Sequence, residues 1–307
     1  MTNWLVTGAT GLLGGNAALQ LSSAHEVTGV SRSAPGKSPV PFIATDISQR
    51  AGRSGLIERS GARAVFHSAA ISSIEQCADE PELAWKLNVE ASADLAAQAH
   101  IVGAAFVYIS TDAVFDGARG SYTEQDRPSP ATEYGRTKLA GERAVLNANP
   151  NALVARVNFY GWSPNGHRSL AEFFYTRLAR GEMTNGFTDT IVSTLYVGRL
   201  VAAIERLVDV RAKGIVNVVS SESTSKFDFG RRLATVFRFD PELVQPALST
   251  DHLAVKRGSR LDLDTTLVTK LLGYAPAGQQ EGIAELATDF TAGRTQAVSA
   301  FTPEKEA

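Results

Sequence analysis

The chain is short of the residues that make crosslinks and clusters. Cys77 is the only cysteine in 307 residues, which excludes an intrachain disulfide and a thiolate zinc cluster. A reducing compartment is the simplest setting for such a chain. Neither sign of charge is in excess: 30 Lys and Arg stand against 32 Asp and Glu, a formal net charge of −2. There is no basic run and no aromatic-basic interleaving, so no nucleic-acid partner is expected. No apolar run approaches the ~18 residues of a membrane span. Met1–Thr7 has no basic leader and reads directly as a strand, so a soluble, cytoplasmic protein is expected. Repeats and low-complexity tracts are also missing.

What is present alternates. Hydrophobic residues make up 44% of the chain, enough for one large α/β domain with a smaller lobe. Strands are predicted at Trp4–Thr7, Glu26–Ser31, Phe42–Ala44, Ala64–His67, Ala105–Ser110 and Ala152–Val157. Between them the apolar spacing predicts helices at Leu12–Ser22, Arg53–Arg59, Glu82–Ile101 and Thr132–Asn147. This order predicts a doubly wound parallel sheet of the Rossmann type. Residues 1–158 are read as the dinucleotide-binding domain. Residues 159–293 are read as mainly a smaller α/β substrate lobe, with some segments returning to the main sheet. Helices are expected there at Leu170–Arg180, Leu195–Val208, Lys226–Phe237, Leu267–Leu272 and Glu281–Phe290, with a strand at Ile215–Val219. Residues 294–307 read as a polar, loose tail.

Three sites punctuate this pattern. Gly8, Gly11 and Gly14 lie three apart where the first strand meets the first helix, in Gly8-Ala9-Thr10-Gly11-Leu12-Leu13-Gly14. Glycines there permit a tight turn and let the helix-start N–H groups approach a pyrophosphate, so Gly8, Thr10, Gly11, Leu12, Leu13 and Gly14 are cofactor candidates. An acidic residue ending the second strand would hold adenosine ribose hydroxyls. The chain has Ser31-Arg32-Ser33 instead, whose guanidinium and hydroxyls suit a 2′-phosphate, so NADP(H) is expected over NAD(H). A solvated surface arginine is the plain alternative. Asp46 and Ile47 are placed at the adenine edge, and Ser68, Ala69 and Ala70 where a cofactor passes close. His67 reads as a packed strand-end residue.

The third site is chemical. Tyr134 and Lys138 are four apart on a predicted helix and share a face. An ammonium near a phenol favours the phenolate and lowers its pKa, which would tune Tyr134 for proton transfer. Thr111, at a strand end, is placed to hydrogen-bond a substrate carbonyl. Lys138 is also a candidate for the nicotinamide ribose. Asn88 is read as a polar support for the active-site strands.

The stretches Ser110-Thr111-Asp112-Ala113-Val114-Phe115, Tyr134-Gly135-Arg136-Thr137-Lys138 with Glu142, and Arg156-Val157-Asn158-Phe159-Tyr160-Gly161 resemble the extended short-chain dehydrogenase/reductase family. Within it the nearest likeness is to dTDP-4-dehydrorhamnose reductases, over roughly residues 1 to 290. The resemblance implies a catalytic set of Thr111, Tyr134 and Lys138. It implies a sugar pocket that includes Ser72, Ile74, Asp112, Asn158 and Phe159. The implied substrate is a nucleotide-linked 4-keto-6-deoxy sugar, reduced with NADPH. Asn16 stands where some members have an acidic residue for a metal-linked dimer, so no metal is expected. A homodimer is allowed but marked by no feature. Arg168, Phe173, Arg177, Lys256 and Arg260 are candidates for covering a diphosphate. Two other readings stay open: a nucleotide-sugar epimerase or dehydratase of the same fold, and a non-catalytic NADP-binding regulatory subunit.

Overall fold

The computed structural model describes residues 1–251 and 258–303. Seven parallel strands form its main sheet: β1 (Asn3–Thr7), β2 (Glu26–Ser31), β3 (Phe42–Ala44), β4 (Ala64–His67), β5 (Ala105–Thr111), β6 (Leu153–Val157) and β7 (Gly214–Val218). Their spatial order is β7-β6-β5-β4-β1-β2-β3. The order reverses beside β1, which opens a crevice at the strands' carboxyl ends. Successive side chains alternate across the sheet and both faces are buried. Trp4, Val6, Phe66 and Val107 join one core, and Leu5, Val65, Phe106 and Tyr108 the other. This is the doubly wound sheet that the alternation predicts.

Helix α1 (Leu12–Leu21) follows β1, and α2 (Glu133–Ala148) crosses from β5 towards β6. The Thr132 side chain caps α2 by accepting from the Gly135 N–H at 3.2 Å. In the lobe, α3 (Leu170–Leu178) starts with a capping box between Ser169 and Glu172. Helix α4 (Lys226–Val236) is capped by Ser225. Trp162, Tyr175, Phe237 and Phe290 pack there as an aromatic cluster.

Four local expectations differ from the structure. The single helix over Arg53–Arg59 is two short ones, Arg50–Arg53 and Leu56–Ser60, parted at Gly55 with a φ of 60°. The long helix from Glu82 is interrupted by a π-helical stretch, Lys86–Ala91, and an unforeseen helix, Ile74–Asp79, precedes it. Leu195–Tyr196 is a short strand that pairs with Phe159–Tyr160, and the helix begins only at Val197. Residues 294–303 of the expected tail are not loose: Arg294–Ser299 is helical, and Val298 and Phe301 are fully buried; residues 304–307 lie outside the described residues.

Candidate active site

The glycine turn is shaped by close approach. Gly8 has a φ of 70°, and a Cβ on Gly14 would lie 2.2 Å from the Gly8 carbonyl oxygen. Only glycine lets α1 start so near β1. The Gly8 N–H donates to the Val30 carbonyl at 2.9 Å, which ties the turn to the end of β2 and so to Ser31–Ser33. No side chain caps α1, whose first-turn N–H groups open towards the crevice end of the sheet. Leu12 and Leu13 are buried beneath the turn, and Thr10 and Gly11 are half-buried on it. Arg32 is exposed and makes no ion pair among the described residues; the Ser31 hydroxyl donates to the Ser33 carbonyl at 2.6 Å. Asp46 accepts from the Ser48 N–H at 2.9 Å, and Ile47 is buried. Ser68 donates to the Thr7 carbonyl at 2.7 Å, fixing Ser68–Ala70 beside the turn. These elements suit a dinucleotide: an uncapped helix start, a turn bounded by glycines with only small side chains and a guanidinium at the next strand end.

His67 lies under this floor. Its ring bonds the Thr7 hydroxyl at 2.7 Å and the Ser92 hydroxyl at 2.9 Å. Burial, with Lys138 nearby, pulls its pKa down to about 3, so it is a neutral packing residue.

A cavity of about 550 Å³ opens where the carboxyl ends of β4, β5 and β6 meet the lobe. Ser72, Ile74, Thr111, Asp112, Tyr134 and Asn158 all line it, brought together from four separate segments. Phe159 does not. It sits half-buried on the short strand paired with Leu195 and packs against the main core. Arg168 and Phe173 line the cavity from the lobe. Arg177 instead lines a neighbouring hollow of about 310 Å³ that shares Phe173, with its guanidinium 4.9 Å from the Phe173 ring. Arg260 pairs with Asp262 at 3.6 Å and faces neither. Lys256 lies outside the described residues.

The sequence reading missed Glu75, His167, Ser169, Thr190 and Lys226, which also line the cavity. Only Ser169 and Lys226 carried a local signal, as a helix cap and a helix start. Nothing local ties either to the site.

The polar contacts are specific. The Thr111 hydroxyl donates to Asp112 Oδ1 at 3.0 Å and accepts from the Ala113 N–H at 3.2 Å. Asn158 donates its amide to the other Asp112 oxygen. Burial pushes the Asp112 pKa up to about 6, against the pull of Asn158, Thr111 and the Lys226 ammonium. The Tyr134 phenol is pushed above its ordinary value, chiefly by burial and then by Asp112 and Cys77. This reverses the lowered pKa expected from the Tyr-x-x-x-Lys spacing. The Lys138 amine lies 3.9 Å from the centre of the Tyr108 ring. It is almost fully buried, and burial pulls its pKa down to about 7 while Glu142 pushes it up.

A scaffold of buried polar groups holds these residues. Asn88, in the π-helical stretch, accepts from the Ile71 N–H at 2.9 Å and donates to the Ile71 carbonyl and the Thr137 hydroxyl, each at 3.0 Å. It thereby joins the loop after β4 to α2. Glu142 of α2 takes the Ser110 hydroxyl at 2.5 Å and the Arg156 guanidinium at 2.7 and 2.9 Å. Asn16 is an internal clamp: it donates to the Trp162 carbonyl at 2.8 Å and accepts from Arg294 at 3.0 Å. No cluster of metal-ligating side chains occurs among the described residues.

Comparison with known proteins fits this geometry. The chain is 31% identical over 292 residues to the probable low-salt glycan biosynthesis reductase Agl14 of Haloferax volcanii, covering 93% of this chain and 97% of that protein. It is 30% identical over 278 residues to methionine adenosyltransferase 2 subunit beta of Rattus norvegicus, covering 87% and 81%. The crystal structure of dTDP-4-dehydrorhamnose reductase from Bacillus anthracis, in complex with NADP, superposes with a TM-score of 0.83 at 23% identity, over 94% of this chain and 99% of that one. The RmlD substrate binding domain matches residues 2–292. The chain therefore belongs to the RmlD substrate-binding-domain family, within the extended short-chain dehydrogenase/reductases.

Proposed function

We propose that this protein is an NADPH-dependent reductase of a nucleotide-linked 4-keto-6-deoxy sugar. The chain is an oxidoreductase, and its family and its Haloferax relative point to a sugar as substrate. One observation carries the finer reading: Thr111 and Tyr134 line a cavity at the carboxyl edge of the sheet, the edge at which the glycine turn also follows its strand. When bound, the nicotinamide supplies hydride to the carbonyl carbon. Tyr134, held protonated by its surroundings, gives its proton to the carbonyl oxygen. Lys138 is assigned to the nicotinamide ribose. The uncapped start of α1 holds the pyrophosphate, and Arg32 holds the 2′-phosphate. Ser72, Ile74, Asp112 and Asn158 would hold the sugar, and the lobe from 159 to 293 would cover the nucleotide. A cytoplasmic setting accompanies this reading.

The similarity to methionine adenosyltransferase 2 subunit beta favours a second reading, a cofactor-binding regulatory subunit. Nicotinamide absorbance separates the two. Mixed with NADPH and a panel of nucleotide 4-keto-6-deoxy sugars, the protein should oxidise NADPH with at least one of them. Tyr134→Phe should lower that rate by roughly 10²- to 10⁴-fold while NADPH still binds. NADPH binding without oxidation by any sugar would leave the regulatory reading.

A further inference from the structure

An ammonium has three hydrogens to donate and nothing to accept with. The Lys138 side chain is almost fully buried, and its N–H groups meet no acceptor of the protein among the described residues. What the nitrogen meets is a ring. The centre of the Tyr108 ring, on β5, lies 3.9 Å away, the shortest cation–ring contact among the described residues. The face of an aromatic ring carries partial negative charge, so it attracts the ammonium far more than the neutral amine.

We propose that Tyr108 is a positioning residue, its ring face the seat that holds the Lys138 ammonium one helical turn from Tyr134. The part this seat plays in turnover rests on the reductase reading above; the seat itself does not. The ring is firmly set. Tyr108 is fully buried, and its hydroxyl donates to the Asn88 carbonyl at 3.0 Å. That carbonyl belongs to the π-helical stretch and also takes the Ser92 hydroxyl at 3.0 Å. Helix α2 leaves the room: a Cβ on Gly141 would lie 2.2 Å from the Tyr108 hydroxyl oxygen and 2.4 Å from the Asn88 carbonyl oxygen. Gly141 and Lys138 are three apart on α2 and share a face, so one side of the helix admits the hydroxyl and presents the ammonium to the ring. His67, paired with Tyr108 across the sheet, stacks on it with ring centres 6.0 Å apart.

The charge on Lys138 is finely balanced. Burial pulls its pKa down to about 7, while Glu142 and Cys77 push it up. His67, held neutral, and Tyr134 are the other titratable groups about it, besides Tyr108 itself. Loss of the ring's attraction tips the balance further towards the neutral amine. A neutral amine does little for the phenolate that Tyr134 becomes when it gives up its proton.

Two measurements test the seat. The first needs neither cofactor nor substrate: NMR of the full chain with isotopically labelled lysine, the Lys138 signal assigned by its loss in Lys138→Met. In the wild type the Lys138 Hε protons should be shifted upfield by the ring current of Tyr108, and the signal should titrate near pH 7. Tyr108→Phe keeps the ring and should keep both properties. Pentafluorophenylalanine in the same position keeps the shape and reverses the charge on the ring face. It should lower the lysine pKa by roughly one to two units relative to Tyr108→Phe, the worth of a desolvated cation–ring contact. The second is the pH profile of kcat for NADPH oxidation with a nucleotide 4-keto-6-deoxy sugar. Its alkaline fall should move down by the same interval in the fluorinated protein, with KM for the sugar little changed. Lys138 protons without the upfield shift, or a titration that fluorine leaves unmoved, overturn the seat and leave the reductase standing. An alkaline fall that stays in place when the lysine titration moves overturns the part of Tyr108 in turnover. A wild type that oxidises NADPH with no sugar removes the reductase reading, and the NMR titration then decides the seat alone.

Discussion

Arg32 and His67 are both cations in name, and their surroundings give them opposite fates. Arg32 stands in solvent at the end of β2 with its charge available. Arg32→Ala should weaken NADPH by roughly 10- to 100-fold, the worth of one or two charge-assisted hydrogen bonds, and NADH far less; titration of both dinucleotides by fluorescence checks it. Equal losses would remove the argument for NADPH. His67 is held neutral, with a pKa near 3 against 6.5 when unfolded. The unfolded chain therefore binds the extra proton between those values. His67 contributes its full stability above pH 6.5, and that contribution falls as pH drops towards 3, by about 1.4 kcal/mol per unit. Urea melts of His67→Gln should show a shallower loss between pH 6 and 4. Single residues were the most legible scale. The glycine spacing, the serine-arginine pair and the Tyr/Lys pair each imply a position from local geometry alone. The charge states were not legible, because burial and not spacing sets the Tyr134 phenol.

At the scale of elements, the junction between α2 and the sheet matters most. Glu142 and Arg156 are each 1% exposed, and they bind α2 to β6 directly and to β5 through Ser110. Thr111 and Asn158 lie one and two residues beyond these anchors, and Tyr134 two turns before Glu142. Removing one member leaves a buried charge unpaired, so Glu142→Gln should cost about 3–5 kcal/mol of stability by chemical denaturation. Adding Arg156→Met to Glu142→Gln removes the stranded charge and should recover much of that loss. The strands of the main sheet and α2 were legible because their period and caps are local. The π-helical stretch was not. It widens the helix around Asn88, which bonds the Ile71 backbone and Thr137, partners 17 and 49 residues away. The split at Gly55 was equally hidden, since Arg53 turns inward to Asp94, 41 residues on.

Across the whole molecule, segments far apart in sequence meet near the start of α1. Arg294 reaches Asn16 on α1, Asn16 reaches the Trp162 carbonyl, and the Thr302 hydroxyl donates to the Pro164 carbonyl at 2.9 Å. A composition that reads as a loose tail hides this, because two apolar residues, Val298 and Phe301, do the burying. Phe301→Ala should cost about 3–5 kcal/mol, visible as a lowered Tm in calorimetry. The lobe's part in the cavity was the least legible feature, as it depends on how segments far apart in sequence come to share one wall. The parallel pairing of β7 with β6 has a plain consequence for anyone dividing this protein. Partway through the lobe, the backbone goes back to finish the sheet and then returns to complete the lobe. A fragment stopped at residue 158 would carry a raw strand flank, its unmatched amides and carbonyls offered to any passing chain. The seam between the two halves is topological rather than linear, and no single cut yields two whole pieces.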